Sequence, residues 1–410
     1  MKKYLSVLVL LSITSLSYGQ DERIFDGPYI FIEKDKLINK SIVNGEVITT
    51  LLSLDSYDTI YYPEKSTFKK IKKIAALSDI HGQYDIAIEL LKNNKIIDEN
   101  LNWNFAKGHL VITGDIFDRG DKVNELLWLI YKLENQAKDK GGRVHYLLGN
   151  HEYMILQNDL RYLTDKYVLS SKLLDIDYDK LYGNKTILGK WLRSKPAIIK
   201  LNNIVFTHGG ISEKFLEKYG VDLDNINTMM RKNNVYTKEQ LKSTDYYDLY
   251  YGKNSLIWYR GYFKKYFDSY KADLTNNDID KVLKLLNAKT IIIGHTTQEE
   301  IVALFNNKIF GVDSGIKYGM DGEILIIKNN RFYRGNLDGN LTSSIVTTGS
   351  VNTASAGTYF VNYNVSDSSG NAAAQVTRTV NVQADATPPV IVLVGASTVN
   401  LLVGDAYNEQ

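Results

Sequence analysis

Five times between residues 74 and 296 a short apolar run is followed within two residues by Asp, Asn or His, with glycine close by. Residues 74–77 run into Ser78-Asp79-Ile80-His81-Gly82, and residues 110–113 into Gly114-Asp115-Ile116-Phe117-Asp118-Arg119-Gly120. Residues 144–148 lead to Gly149-Asn150-His151-Glu152, residues 204–207 to His208-Gly209-Gly210, and residues 290–293 to Gly294-His295-Thr296. Apolar runs this short have the length of buried strands. Stretches with helical spacing at 86–92 and 123–133 separate the first three. Alternation of this kind builds an α/β layer from βαβ units. In an open α/β sheet, ligands bind outside the carboxyl ends of the strands, so these loops are predicted to converge. The adjacent glycines permit tight turns and close backbone approach.

One Asp or His after one strand would be no more than a turn cap or a satisfied core residue. Five such clusters in series point to a shared chemical site. The chain has no cysteine, which excludes disulfides, thiolate zinc sites, a cysteine nucleophile and a lipoprotein anchor. Oxygen and imidazole donors without thiolate suit Mn, Fe or Zn. Four of the six histidines lie in the clusters. His109 and His145 lie within or beside strands and are read as structural. Asp313, in Val312-Asp313-Ser314-Gly315, follows another strand and is read either as a support for the site or as a turn cap.

The flanks are different in kind. Lys2 and Lys3 precede an apolar stretch, residues 4–13, too short for the roughly 20 residues that span a bilayer. Ser17 and Gly19 supply small residues before a cut at Gln20, so residues 1–19 read as an export signal. Of 49 basic and 47 acidic residues, losing Lys2 and Lys3 leaves 47 of each. That balance predicts no nucleic-acid or membrane-surface partner, and no later run is apolar enough for a transmembrane segment. Residues 20–70 read as a β-rich lead-in packed on the main domain, with a hairpin at Asn44-Gly45. Residues 71–335 read as one α/β domain that carries the five clusters, with another strand at 324–327. Within it, residues 155–260 are Tyr-rich and helical, with boundaries that periodicity does not fix; Tyr246 to Tyr251 either flank a groove or serve structure. After Arg334 the only basic residue is Arg378, and Tyr359, Val361, Tyr363 and Val365 alternate as in a half-buried strand. Residues 376–382 repeat that alternation.

Together, Asp79-x-His81, Gly114-Asp115-x-x-Asp118-Arg119-Gly120, Gly149-Asn150-His151-Glu152, His208-Gly209-Gly210 and Gly294-His295-Thr296 resemble the calcineurin-like metallophosphoesterases. Within them the chain is similar to the phosphoprotein phosphatase family. Trp258-Tyr259-Arg260-Gly261 and the lead-in around Gly27-Pro28-Tyr29 look closest to its Shewanella-like branch. The resemblance covers residues 25–335 and implies an α/β fold: a layered αββα sandwich.

The resemblance also implies a role for each matching residue. Asp79 and His81 would bind one divalent metal, Asn150, His208 and His295 a second, and Asp115 would bridge them. His151 would be the general acid, oriented by Asp118. Arg119 and Arg260 would hold phosphate, although Arg260 could instead stack on Trp258 or Tyr259. A metal-bridging hydroxide would attack a phosphomonoester directly. The implied cofactors are two divalent ions, with Mn the expected metal in vitro. The implied partner is a phosphorylated protein or peptide, with preference between phosphoserine/threonine and phosphotyrosine left open. Small-molecule phosphoesterases such as symmetrical dinucleoside tetraphosphatases share these metal motifs. An inactive surface adhesion protein is the alternative of another class.

Asp338-Gly339, Gly357-Thr358-Tyr359, Val365-Ser366-Asp367 and Gly370-Asn371 resemble the later part of a bacterial immunoglobulin-like repeat. Thr387-Pro388-Pro389-Val390 and Val403-Gly404-Asp405 resemble the opening of another. The resemblance implies a partial all-β repeat at 337–384, a truncated second at 385–410, and an incomplete sandwich with unpaired edges. It also implies a route to cell-surface attachment for a protein exported to the periplasm, the cell surface or the medium.

Overall fold

The computed structural model describes residues 24–270, 273–339, 344–366, 370, 372–391, 397–404 and 406. The expected export signal lies outside them. They form two units, one ending at Asn340 and one beginning at Leu341.

In chain order the first unit contains β1 (Asp26–Ile32), β2 (Leu37–Val43), β3 (Glu46–Leu52), β4 (Thr67–Phe68), β5 (Lys73–Leu77), β6 (His109–Ile112), β7 (Arg143–Tyr146), β8 (Ile198–Leu201), β9 (Ile204–Thr207), β10 (Thr290–Ile293), β11 (Val302–Leu304), β12 (Ile309–Gly311), β13 (Ile324–Lys328) and β14 (Arg331–Gly335). One sheet has the order β14-β13-β5-β6-β7 and another β11-β12-β10-β9-β8-β4. The pleat sends successive side chains to opposite faces, and this alternation builds the layers. Ile74 and Ala76 of β5 join Phe206, Ile292, Phe310 and Leu325 in a core between the two sheets. Ala75 and Leu77 face the other way and pack with Leu90, Leu91, Leu126 and Ile130 of the outer helices. On the second sheet Val205, Ile291 and Ile293 face outward toward Phe215, Ile279 and Val282. The result is the αββα sandwich that the resemblance implies.

Strands β5, β6 and β7 are mutually parallel, as are β9, β10 and β12. Their carboxyl ends carry the five clusters. The hairpin at Asn44-Gly45 is present: Val43 pairs with Glu46, and the two turn residues have φ of 54° and 82°. A two-residue hairpin of this type needs both angles positive. The β1–β3 sheet docks on the main body, where Trp128 Nε1 donates to Pro28 O at 2.9 Å.

Several boundaries differ from the sequence expectation. The helix expected at 123–133 runs over Val123–Asp139, because Ala137 is buried and the buried Glu134 accepts from Trp191 Nε1 and Lys195 Nζ. β7 stops at Tyr146 because Leu148 N–H leaves the ladder and donates to Pro196 O. The short strands β4, β8, β11 and β14 carried no usable alternation, whereas β12 is the strand expected before Asp313. His109 and His145 lie on neighbouring strands, with Nδ1 and Nε2 2.9 Å apart. Among the described residues no helix is long and apolar enough to cross a membrane.

The second unit holds β15 (Val346–Thr348), β16 (Gly357–Asn364) and β17 (Val376–Val382), an antiparallel all-β sheet in that order. Tyr359 and Val361 are half-buried while Phe360 between them is exposed. No second sheet covers the inward face among the described residues.

Candidate metal centre

The first two loops run side by side. Asp79 N–H donates to Gly114 O, His81 N–H to Asp115 O and Gly82 N–H to Ile116 O, at 2.9–3.0 Å. Where they cross, a Cβ on Gly82 would lie 2.6 Å from the Gly120 carbonyl carbon, and one on Gly120 would lie 2.4 Å from His81 O. Only glycine fits either position. Asp79, His81, Asp115, Asp118, Arg119 and His295 all have φ between 47° and 70°. Such left-handed conformations are uncommon for residues with a Cβ and gather at functional sites. Here they turn six side chains out of their strands' course.

The Asp115 carboxylate sits at the centre. Its Oδ2 lies 3.2 Å from His208 Nε2, 3.6 Å from His81 Nε2 and 3.8 Å from His151 Nε2. His81 Nε2 is also 3.9 Å from Asp79 Oδ1. His208 Nε2 is 2.9 Å from Asn150 Oδ1, and His295 meets His208 ring to ring at 4.9 Å. Donor atoms of His81, Asp115 and His151 lie within 4.8 Å of one another, as do those of Asp115, His208 and His295. All of these residues are buried.

Hydrogen bonds at the far ring nitrogens fix which nitrogen faces the centre. His81 Nδ1 meets Phe117 O at 2.6 Å, and His208 Nδ1 meets Thr113 O at 2.8 Å. A carbonyl requires a donor, so each Nδ1 carries hydrogen and each Nε2 is directed inward. A second group holding the far nitrogen in this way is typical of metal-binding imidazoles. His295 Nε2 is buried with no hydrogen-bond partner among the described residues. Burial, then the charge of Arg260, holds the His295 imidazole well below its usual pKa and therefore neutral. Burial lowers His208 too, but Asp115 outweighs it and raises it to about 9. Asn150 Oδ1 and Asp115 Oδ2 thus converge on His208 Nε2, an oxygen and imidazole donor set that would fit a divalent cation.

His151 Nδ1 is 2.5 Å from Asp118 Oδ2. Burial lowers its pKa, but Asp115 and Asp118 more than compensate and raise it. Arg119 is exposed. Arg260 does not stack on Trp258 or Tyr259. Its guanidinium lies over Tyr266 at 5.6 Å, and Nη1 donates to His295 O at 2.8 Å. Asp313 is buried, accepts from Thr297 Oγ1 at 2.7 Å and is 3.3 Å from Lys317 Nζ. Burial, helped by the charge of Asp79, pushes its carboxyl up to about 7. Tyr250 is buried with its hydroxyl on Met230 O, and Tyr247 stacks on Tyr251 at 5.2 Å.

One organising residue had no role from sequence. The buried Glu152 carboxylate accepts from the backbone of Asp115 (2.8 Å), Ile116 (2.7 Å) and Gly149 (2.7 Å), and from Tyr146 Oη (2.8 Å). It ties the second loop to the third and so sets where Asp115 stands. Its only sequence signal is its place in Gly-Asn-His-Glu.

The family model for calcineurin-like phosphoesterases matches residues 72–299. A bacterial surface protein immunoglobulin-like domain matches residues 329–382. The crystal structure of a cold-active protein-tyrosine phosphatase from a psychrophilic Shewanella species superposes with a TM-score of 0.72 and 41% identity, covering 77% of this chain and 98% of that one. Shewanella-like protein phosphatase 1 of Plasmodium berghei (strain Anka) is 27% identical over 322 residues, 77% of this chain and 82% of that protein. Shewanella-like protein phosphatase 2 of Arabidopsis thaliana is 25% identical over 335 residues, 67% of this chain and 82% of that protein. With these matches added to the convergent donors, the chain belongs to the calcineurin-like phosphoesterases, as a metal-dependent phosphatase hydrolase followed by a bacterial surface immunoglobulin-like segment.

Proposed function

We propose that the chain is an exported, dinuclear-metal phosphoprotein phosphatase that hydrolyses phosphomonoesters by direct attack of a solvent-derived oxygen. The observation that carries this reading is the Asp115 Oδ2 atom, with three imidazole Nε2 atoms at 3.2–3.8 Å. In this reading Asp79 and His81 hold one cation, Asn150, His208 and His295 hold the other, and Asp115 serves both. When bound, two divalent cations neutralise phosphate and lower the pKa of water to near neutrality.

The chain's own residues do the rest. Asp118 fixes the His151 ring through Nδ1 and keeps it protonated, so Nε2 can give its proton to the leaving oxygen. The exposed Arg119 offers a planar fork for two phosphate oxygens, which lysine would not reproduce. Arg260 commits Nη1 to His295 O and keeps its other nitrogens for phosphate. The attacking oxygen comes from solvent, so no covalent phosphoenzyme is required.

The Shewanella tyrosine phosphatase matches over 98% of its own length, which supports phosphotyrosine as the preferred substrate. The immunoglobulin-like match supports the export reading of residues 1–19 and attachment at the cell surface. Mn, Fe and Zn all suit the donors, and Mn is the metal of choice in vitro. The test is metal analysis of purified protein, followed by matched phosphotyrosine, phosphoserine and phosphothreonine peptides, an aryl phosphate and diadenosine tetraphosphate. Cleavage of the dinucleotide with every phosphopeptide left intact would replace this reading with a small-molecule phosphoesterase.

A further inference from the structure

Beside the site lies a residue outside the five sequence clusters. The Tyr162 ring centroid is 5.2 Å from that of His151, at an interplanar angle of 42°. The Arg119 guanidinium is 5.8 Å from the same ring, and that of Arg161 is 5.5 Å from it. Arg161 is held in place: Nε and one terminal nitrogen donate to the two oxygens of the buried Asp159 at 2.8 and 2.9 Å. Lys238 Nζ donates to the same carboxylate at 2.7 Å, and Lys238 N–H donates to Gln157 O at 2.9 Å. Tyr162 itself is 45% exposed, and its hydroxyl makes no hydrogen bond among the described residues.

Such a ring contributes little to the fold. A half-exposed tyrosine with an unbound hydroxyl buries modest area, yet cations hold it in a fixed attitude. What it does face is the place where the leaving group must be. His151 protonates the leaving oxygen, so the atoms next to that oxygen lie close to His151 and hence to the Tyr162 ring. In a phosphotyrosine those atoms are an aromatic ring, which can pack on Tyr162 offset or edge-on. In a phosphoserine the peptide backbone follows two bonds later and offers no aromatic face to pack on Tyr162.

We propose that Tyr162, braced by Arg161, is a specificity-determining wall that favours aryl leaving groups over alkyl ones. This rests on the phosphoprotein reading above and adds the residue that selects the substrate.

The test uses the full chain loaded with Mn and two peptides of one sequence, carrying either phosphotyrosine or phosphoserine. Wild type favours phosphotyrosine. Tyr162→Ala lowers the phosphotyrosine-to-phosphoserine ratio of kcat/KM by about 2- to 13-fold, the range expected from losing one aromatic pair. Most of the change falls on KM for phosphotyrosine, because the contact is made in the ground state as well as the transition state. Tyr162→Phe keeps the ratio, and Arg161→Ala lowers it in the same direction as Tyr162→Ala. An equal loss on both peptides, a Phe variant as impaired as the Ala variant, or a wild type without preference for phosphotyrosine would overturn the inference. A wild type that holds two metals and cleaves neither peptide would overturn the phosphoprotein reading, and this inference with it.

Discussion

Replacing Glu152 with Gln tests whether the site depends on one buried acceptor. The carboxylate receives four short hydrogen bonds, two on each oxygen. A glutamine in its best orientation keeps its oxygen toward Asp115 N and Gly149 N. Tyr146 can reverse its hydroxyl and accept from the new amide. Ile116 N–H then faces an N–H group and loses its partner. One lost bond to a charged group costs roughly 1.5–3 kcal/mol, and the two retained bonds, now to a neutral acceptor, weaken by about 1 kcal/mol each. Removing a buried charge beside Asp115, which pushes the Glu152 carboxyl up alongside burial itself, returns part of this. The expected net loss is about 3 kcal/mol, a large share of the roughly 5–15 kcal/mol of a typical domain. Urea unfolding in chelator measures it. Because the anchor of Asp115 weakens and that of Ile116 beside it is lost, Mn affinity should also fall by about 10- to 100-fold in a binding titration. A Glu152→Gln protein within about 1 kcal/mol of wild type and with unchanged Mn affinity would refute this account of how the second loop is held.

Other outcomes follow from the same geometry. His151→Asn should retain both metals and lose about 10²–10⁴-fold in kcat, read by steady-state kinetics beside metal analysis; unchanged turnover would remove it as general acid. Asp115→Asn should lower the occupancy of both metals, measured by elemental analysis after dialysis, and wild-type stoichiometry would contradict a shared ligand. Arg119→Ala should raise the inhibition constant of inorganic phosphate with metal content intact. Burial, then the charges of His109 and Arg143, holds His145 well below its ordinary 6.5, so the folded protein keeps it neutral. Below pH 6.5 the unfolded chain takes up a proton that the folded one refuses, so stability is present above that pH and falls beneath it. The stability gap between wild type and His145→Leu, both metal-free, should therefore narrow by about 1.4 kcal/mol from pH 7.5 to 5.5. A gap independent of pH would contradict a neutral buried His145.

Much of the site was legible because each cluster ends an apolar run. Parallel strands of one sheet must deliver their carboxyl ends to one edge, so Asp79 and Asp115 could be expected to meet. His208 and His295 follow β9 and β10 of the other sheet, and the packing of the two sheets brings them in. Glu152 was not legible in its role, because its backbone partners at Asp115 and Ile116 are 37 and 36 residues away and a Glu in a first helical turn already has a local explanation. Tyr162 was invisible for a similar reason: it lies in a turn after Asn150–Leu156, and only tertiary contact sets it beside His151. The helix boundaries within residues 155–260 escaped because tyrosines lie on both buried and half-exposed faces there and blur the period. β14, Arg331–Gly335, is polar and mostly exposed, and is defined by pairing with β13 rather than by its own pattern.

The measurement that bears most directly on the central claim is a crystal structure of the Mn-loaded protein with anomalous scattering. The account predicts two peaks, both bonded to the Asp115 carboxylate, one shared with Asp79 and His81 and the other with Asn150, His208 and His295. A single ion, or ions bound away from Asp115 in a protein that still hydrolyses phosphate esters, would contradict it.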